Sequence, residues 1–440
     1  MDRTILISVA ELSHGGLETR LADDIKFLRA RGDRVVLATG ADAGAVARLD
    51  LSADAALYKI PFNRAMSVER LTDIIGQLAA LIEQERVDEV WAHPFPSILP
   101  SVLAAEVCAR PRRVFLHGPL SLANSGYGNL MGALLKQFVL PAAEEVVCVS
   151  EETRAAAVSA AFGPMARICV VANGVDGGVF AGPAPGFPLR RRILAVSRLD
   201  KPRVRALLGL LGALRGHGWS IDFAGDGAYR RVLERAVRLY GYDAGQVRFL
   251  GVRNDIADLH PEYDVVAANG RAFLEAASAN KVCILAGPDA PPLLVTVDSF
   301  GALASNNYSG RGAQPSEVGL AAALEDFDPA EAGRFRLREQ VEQIADQQKI
   351  LESWQAPPLT FRPSALAGLL KLLSDETVAR DVAIRDHPVI LRRIKELDWS
   401  PDGRLAFQAA YIDFLETSRA SLNQRLWSAE YRLKQLQSTG

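Results

Sequence analysis

The chain has 440 residues, room at ~100–200 residues per domain for more than one core. Hydrophobic residues make up 49% and charged ones 23%, which excludes a disordered chain. The 50 basic residues against 52 acidic ones exclude a nucleic-acid binder that is basic over its whole surface.

The N-terminal Met1-Asp2-Arg3 leads straight into an apolar run too short for a signal-peptide core. Short apolar runs predict strands over 5–9, 34–38, 89–93, 113–117, 145–150 and 167–172, with helical patterns between most of them, such as 17–31 and 68–86. Strand–helix alternation of this kind predicts a parallel sheet covered by helices on both faces. The pattern breaks over 180–188, where Pro183, Pro185 and Pro188 with Gly182 and Gly186 form a linker. Alternation then restarts with strands over 193–197, 220–224, 247–250, 264–267 and 282–286 and helices over 204–215, 228–240 and 272–279. The run over 206–214 is the longest apolar one, and a membrane span needs ~18 residues. From Ser316 the chain reads as mostly helical, and over 404–437 a stripe of Leu415, Leu422, Leu426, Ala429, Leu433 and Leu436 follows heptad spacing.

The organisation expected is therefore α/β. It has a first doubly wound domain over 1–180, a second over 189–315, and a helical extension over 316–440 that can form a coiled coil at 404–437. A ligand would sit in the cleft between the two domains, facing the carboxyl ends of their strands. Cys108, Cys148, Cys169 and Cys283 lie far apart with no Cys-x-x-Cys, so neither disulfides nor a zinc ribbon is indicated and a reducing cytoplasm is expected.

Several residues in loops after strands have the chemistry to hold an anion. Gly15 and Gly16 precede a long helix, whose start offers N–H groups, although alone the pair is more simply a tight turn. Arg198 stands just past a strand's carboxyl end, and Arg203 with it flanks a loop suited to holding a diphosphate; Lys201 lies between them. Arg190, Arg191 and Arg192 precede the same strand and are expected to be solvated at its far end. Gly270 ends a strand and opens a helix, and Glu275 in that helix's second turn can accept from ribose hydroxyls, the bland reading being an exposed helix residue.

His117 and His93 each end a strand of the first domain, and for His93 a hydrogen-bonded strand cap is the preferred reading. His14 beside the glycine pair stays ambiguous, while His217, His260 and His387 have no supporting context. The one Asp-x-Asp, Asp326-Phe327-Asp328, lies in a polar stretch between helices, so no metal site is expected. The apolar stretch over 130–140 fits core packing at least as well as contact with a membrane.

In this order and spacing the motifs resemble the retaining GT-B glycosyltransferases of the family 4 type. The resemblance runs from near the start to about Arg311. Its pieces are Gly15-Gly16, Arg31-Gly32-Asp33-Arg34-Val35, Val149-Ser150-Glu151 and Ala172-Asn173-Gly174-Val175-Asp176 with Phe180. They continue with Ser197-Arg198-Leu199-Asp200, Ala224-Gly225-Asp226-Gly227, Val247-Arg248-Phe249-Leu250-Gly251 and Leu274-Glu275-Ala276. The resemblance implies two Rossmann-like domains facing a cleft and transfer of a sugar from a nucleotide-sugar donor.

Under it Arg198 binds the donor diphosphate and Arg203 replaces a companion lysine, with Lys201 as a substitute. Glu275 holds the ribose, and His117 lies close to the reacting sugar. The family's first glutamate would fall at Ala267, so sugar recognition differs here or activity is in doubt. Gly270-Arg271 and Asn307-Tyr308-Ser309-Gly310-Arg311 match a subset with a shortened Gly-Arg-x-x-Leu-Glu-Ala loop.

With no metal site and no other cofactor expected, the leaving diphosphate would be stabilised electrostatically by Arg198, Arg203 and helix N-termini; retention of configuration follows from the resemblance. So do a glycan or lipid-linked acceptor in bacterial surface polysaccharide synthesis and a cytoplasmic location, including the inner face of the membrane. The 404–437 helix would serve a second copy or a partner protein. Two alternatives stay open: a GT-B sugar-nucleotide epimerase, and a catalytically silent scaffold acting through its C-terminal helices.

Overall fold

The computed structural model describes residues 3–12, 15–41, 54–62, 67–94, 96–123, 134–161, 165–183, 189–288, 291–312, 319–325 and 329–374. His14, His387, the Asp326–Asp328 triplet, most of the Pro/Gly linker and the 404–437 stripe lie outside the described residues.

The first domain is built on seven strands: β1 (Thr4–Val9), β2 (Arg34–Thr39), β3 (Ala56–Lys59), β4 (Glu89–Ala92), β5 (Arg112–Leu116), β6 (Glu145–Cys148) and β7 (Ile168–Val170). They pair in parallel in the order β3-β2-β1-β4-β5-β6-β7. Along β1 the side chains alternate between two cores. Ile5, Ile7 and Val9 join one and Leu6 the other, so both faces are buried and the strand reads as a continuous apolar run.

Helix α1 (Gly16–Ala30) follows β1. Helix α2 (Val68–Gln84) turns Leu71, Ile74, Ile75, Leu78, Leu81 and Ile82 onto the sheet at helical spacing. Its N-cap Ser67 accepts from the Arg70 amide at 3.2 Å. Helix α3 (Ile98–Val107) and helix α4 (Glu151–Ala160) complete the domain's longer helices.

The second domain repeats the scheme. Its sheet runs β10-β9-β8-β11-β12-β13, from β8 (Arg192–Val196), β9 (Ser220–Ala224), β10 (Val247–Gly251), β11 (Val265–Ala268), β12 (Val282–Leu285) and β13 (Leu293–Leu294). Only β13 is antiparallel to its neighbour. The helices α5 (Lys201–Leu214), α6 (Arg230–Leu239), α7 (Arg271–Ser278) and α8 (Val297–Leu303) lie between these strands or after them.

Strand order reverses between β1 and β4 in one sheet and between β8 and β11 in the other. These are the places where open α/β sheets bind ligands. The loops carrying Gly15 and His93, and those carrying Arg198 and Gly270, follow those four strands.

Arg190 and Arg191, just before β8, are solvent-exposed as expected, Arg192 opens β8 partly buried, and each of the three also has a hydrogen-bond partner. Arg190 Nη2 donates to Asp264 at 2.9 Å, Arg192 Nη2 to Asp222 at 3.2 Å, and Arg191 to the His217 carbonyl at 3.1 Å. Carboxylates on β9 and at the start of β11 answer them. In the apolar stretch over 130–140, Leu134, Leu135, Phe138, Val139 and Leu140 are all core. Those side chains are therefore spent on packing and not on a membrane. No helix among the described residues is long and apolar enough to cross a membrane.

The described part of the expected helical extension is divided between the two domains. Helix α9 (Leu320–Glu325) and helix α10 (Arg338–Ile344) pack into the second domain through Leu320, Leu324 and Val341. The chain then crosses back. The amide of Val175 donates to Ala345 at 2.9 Å, and the Gln347 side chain accepts from Gly174 at 2.8 Å. Helix α11 (Gln347–Trp354) and helix α12 (Leu366–Leu373) both bury apolar residues in the first domain.

Between them the chain is not helical. Its Pro357 carbonyl accepts from Arg113 at 2.6 Å, its Arg362 carbonyl accepts from Arg112 at 3.1 Å, and its Arg362 amide donates to Glu144 at 2.9 Å.

Candidate functional site

On the second domain the loop after β8 is held by its neighbour after β9. The Ser197 amide donates to Ala224 at 3.1 Å and the Leu199 amide to Asp226 at 2.9 Å. The two loops touch so closely that a Cβ on Gly225 would stand 2.0 Å from the Ser197 carbonyl oxygen, and its φ of +144° disfavours any other residue. This seat aims Arg198 and the start of α5.

Arg203 Nη1 donates to Asp200 Oδ2 at 2.6 Å, and Arg198 Nε lies 3.5 Å from the same oxygen. Two guanidinium groups thus share one carboxylate, leaving an excess positive charge. Burial and the nearby Arg198 together push the Arg203 pKa down, and Asp200 opposes them. Arg198 is half exposed, so its remaining N–H groups are open to an anion. Lys201 is exposed at the first position of α5.

The loop between β11 and α7 is only Asn269-Gly270. Ala267 is fully buried within β11, paired with Ala195 and Ile284, so the position expected to carry a glutamate is core and not cleft. Gly270 has φ of +60°, and its amide donates to the Tyr308 carbonyl at 2.7 Å, so this amide is already taken within the protein.

Arg271 and Glu275 lie one turn apart, 3.5 Å between Nε and Oε1, and both side chains are mostly buried. Burial raises the Glu275 pKa and Arg271 opposes the rise. Glu275 is therefore not an ordinary exposed helix residue.

The Asn307-Tyr308-Ser309-Gly310-Arg311 motif braces this loop. Tyr308 stacks on Phe273 with ring centroids 5.4 Å apart. Asn307 Oδ1 accepts from Asn173 of the first domain at 3.3 Å, and Arg311 Nε donates to Glu152 at the start of α4 at 2.8 Å.

On the first domain, Gly16 faces Arg271 across the cleft, where a Cβ would stand 3.5 Å from the arginine's Cβ. Arg271 Nη1 also lies 2.6 Å from Asp23 of α1. The glycine loop and the Gly270 loop are thereby brought together. His93 and His117, at the ends of β4 and β5, lie 3.0 Å apart through Nδ1 and Nε2. Behind them Arg20 is buried, donating to Asp24 at 2.8 Å and to the Val171 and Ala172 carbonyls at 3.0 and 2.9 Å.

His93 is hydrogen-bonded at a strand end as expected, but its partner is the other candidate histidine. The His260 ring is buried without a hydrogen-bond partner among the described residues, its centroid 5.9 Å from that of Phe180, and His217 meets Glu325. Sequence reasoning quoted Asp200 within a motif without giving it a role, and missed Asp23 and Arg20. Asp200 alone had a legible signal, as an acidic residue between two arginines.

Residues 14–177 match the family model described as Glycosyltransferase Family 4. No curated protein matches the chain. Among solved structures, Anabaena Alr3699/HepE in complex with UDP and glucose is similar at 19% identity and a TM-score of 0.60, covering 81% of this chain and 100% of that one. A glycosyltransferase from Rickettsia africae gives 16% identity and 0.60, covering 81% of this chain and 97% of that one. Sucrose-phosphate synthase from Thermosynechococcus elongatus gives 14% and 0.57, covering 84% and 100%.

The fold is GT-B. With the match over 14–177, it supports a glycosyltransferase.

Proposed function

We propose that the protein moves a sugar from a nucleotide-sugar donor to a glycan or lipid-linked acceptor, with retention of anomeric configuration and without a metal. The observation that carries this reading is the Arg198–Asp200–Arg203 cluster beside the second sheet's switch point, which holds more positive charge than its one carboxylate balances. A diphosphate fits that excess, with Glu275 placed to accept from ribose and the first domain left for the acceptor.

The acceptor oxygen attacks the anomeric carbon from the face the leaving group departs. The new C–O bond forms as the bond to the diphosphate oxygen breaks, and the acceptor's proton passes to that departing oxygen. Arg198, Arg203 and the α7 N-terminus then stabilise the released charge.

A structurally similar protein is captured with UDP and glucose, so UDP-glucose is the first donor to try, followed by other UDP-, GDP-, ADP- and dTDP-sugars. Binding by thermal shift tests the donor site, since a ligand stabilises the folded state by mass action. Radiolabelled transfer to a lipid-linked glycan then tests the reaction. Binding of no nucleotide sugar would leave the scaffold reading. Conversion of UDP-N-acetylglucosamine to its epimer without an acceptor would leave the epimerase. Transfer that survives EDTA is expected, and strict dependence on Mg²⁺ or Mn²⁺ would overturn the metal-free part.

A further inference from the structure

Arg271 opens α7 one turn before Glu275 and reaches across to α1 of the first domain. Its Nε stands 3.5 Å from Glu275 Oε1 and its Nη1 2.6 Å from Asp23 Oδ2, so one guanidinium faces two carboxylates. The side chains of Arg271, Glu275 and Asp23 are only 5%, 13% and 21% exposed, which leaves water little part in neutralising them. Arg271 Nε and Nη1 and Asp23 Oδ2 are buried, and none is aligned as a hydrogen bond among the described residues. Charge, rather than bond geometry, holds the three together. The set inverts the Arg198–Asp200–Arg203 cluster, where two cations share one carboxylate.

A buried carboxylate needs a counter-charge, because burial disfavours its ionised form. For Glu275 the elements around α7 offer few. Strands β11 and β12 bring only apolar side chains and Cys283. Helix α10 brings Arg338, Glu339 and Glu342, and Arg338 is spent on Glu342 at 2.7 Å and the Ser278 carbonyl at 3.2 Å. Asp298 of α8 is exposed, and Tyr308 brings a phenol. Burial raises the Glu275 pKa most, Arg271 opposes the rise, and Asp23 adds to it.

We infer that Arg271 is a positioning residue for Glu275: its guanidinium is the counter-charge that keeps this carboxylate available as an acceptor, and Asp23 of the first domain anchors that guanidinium. An ionised carboxylate only accepts, and its two oxygens can take two hydroxyls at once, whereas a protonated one gives part of that capacity to its own proton. That the hydroxyls belong to a nucleotide ribose rests on the glycosyl-transfer reading. The pairing of Arg271 with Glu275 does not.

The test compares the full wild-type chain with Arg271→Met, which keeps the bulk and removes the charge. Glutamate labelled with ¹³C at the carboxyl carbon reads the titration of Glu275, whose signal is assigned by its loss in Glu275→Gln. In Arg271→Met that titration should move up by about one pH unit or more. Affinity for UDP-glucose, measured by calorimetry, should fall relative to wild type by about tenfold per unit of displacement at pH values below both titrations, and recover above them. In a Glu275→Gln background, Arg271→Met should cost nothing further. If Arg271→Met fails to fold, Arg271→Met with Asp23→Asn removes the repulsion but still lacks the counter-charge, and should show the same upward titration and the same recovery at high pH. An unmoved titration would overturn the inference. So would an affinity loss that is the same at every pH or persists in Glu275→Gln, since either marks a direct contact between Arg271 and the ligand.

Thermal shift with UDP-glucose and the other nucleotide sugars on the same proteins keeps the two readings apart. Absence of all binding beside a displaced Glu275 titration sinks glycosyl transfer alone, and binding beside an unmoved titration sinks the role of Arg271 alone.

Discussion

Arg203 and Glu275 are strained in opposite electrostatic senses, and each is relieved by the ligand proposed for it. Burial and Arg198 disfavour the charge on Arg203, so an incoming diphosphate removes a repulsion as well as adding bonds. Arg198→Ala and Glu275→Ala should each weaken nucleotide-sugar binding by about 1.5–3 kcal/mol, roughly 10- to 150-fold, as loss of one hydrogen bond to a charged group does. Calorimetric titration checks this. Unchanged affinity in a folded variant would remove the donor-site assignment.

His117 supplies a pH prediction. Its folded-state pKa of about 3 lies below the ~6.5 of an unfolded histidine, so between those values the unfolded chain binds a proton that the folded one excludes. Its contribution to stability is therefore full above about pH 6.5 and shrinks as pH falls toward 3. His117→Asn lacks the group. Its stability relative to wild type should improve by about 1–2 kcal/mol between pH 7.5 and 5.0, read from urea midpoints. A constant difference would mean that His117 titrates in the fold as it does in the unfolded chain, and a change of the opposite sign that it is charged in the fold.

At the scale of elements, alternation of apolar strands with amphipathic helices was legible because the strands are buried on both faces. Ile5 through Val9 need no polar side, and five consecutive apolar or small residues with no polar face fit a central strand better than an amphipathic helix. Edges were not legible. The edge strand β3 alternates between half-buried and exposed residues, and β13 is two residues long, so neither makes an apolar run.

The arginines of the donor loop could be read from their place after a strand, but what aims them could not. Their seat is a contact between two loops, recorded in sequence only as Gly225 and Gly227. Gly225→Ala should cost about 3 kcal/mol or more, since its methyl must displace the Ser197 carbonyl and its backbone must hold a positive φ. The seat also carries Arg198, so donor affinity should fall along with the melting temperature. A fully stable, tightly binding Gly225→Ala protein would show that the loop is held by something else. The short Asn269-Gly270 loop was likewise visible as a departure, but its brace from Tyr308 and Arg311 depends on pairings across 38 or more positions of sequence, which no local pattern encodes.

At the scale of the whole molecule the chain ties its two domains together twice, first through the linker and again after Ala345. The returning segment covers buried charge. Arg113 is completely buried between Glu89 and Glu145, lies over the Trp91 and Trp354 rings at 5.3 and 5.2 Å, and donates to Pro357. Glu106 and Glu144 similarly bind Ser364 and Arg362. Buried ions of this kind are tolerable only while every partner is present.

A chain ending at 345 loses those partners together with Leu351, Trp354, Leu366, Leu369 and Leu373, and the loss should equal a whole domain's stability of about 5–15 kcal/mol. A chain ending at 374 keeps them all. It should melt within a few degrees of the full protein and bind nucleotide sugar equally well, while losing whatever association the 404–437 stripe supports. Light scattering and thermal melts on the two truncations separate the roles. If the shorter chain stays folded, the return segment is not a structural tie. If the 374-residue chain unfolds or loses nucleotide affinity, the tail beyond it serves the fold and not a partner.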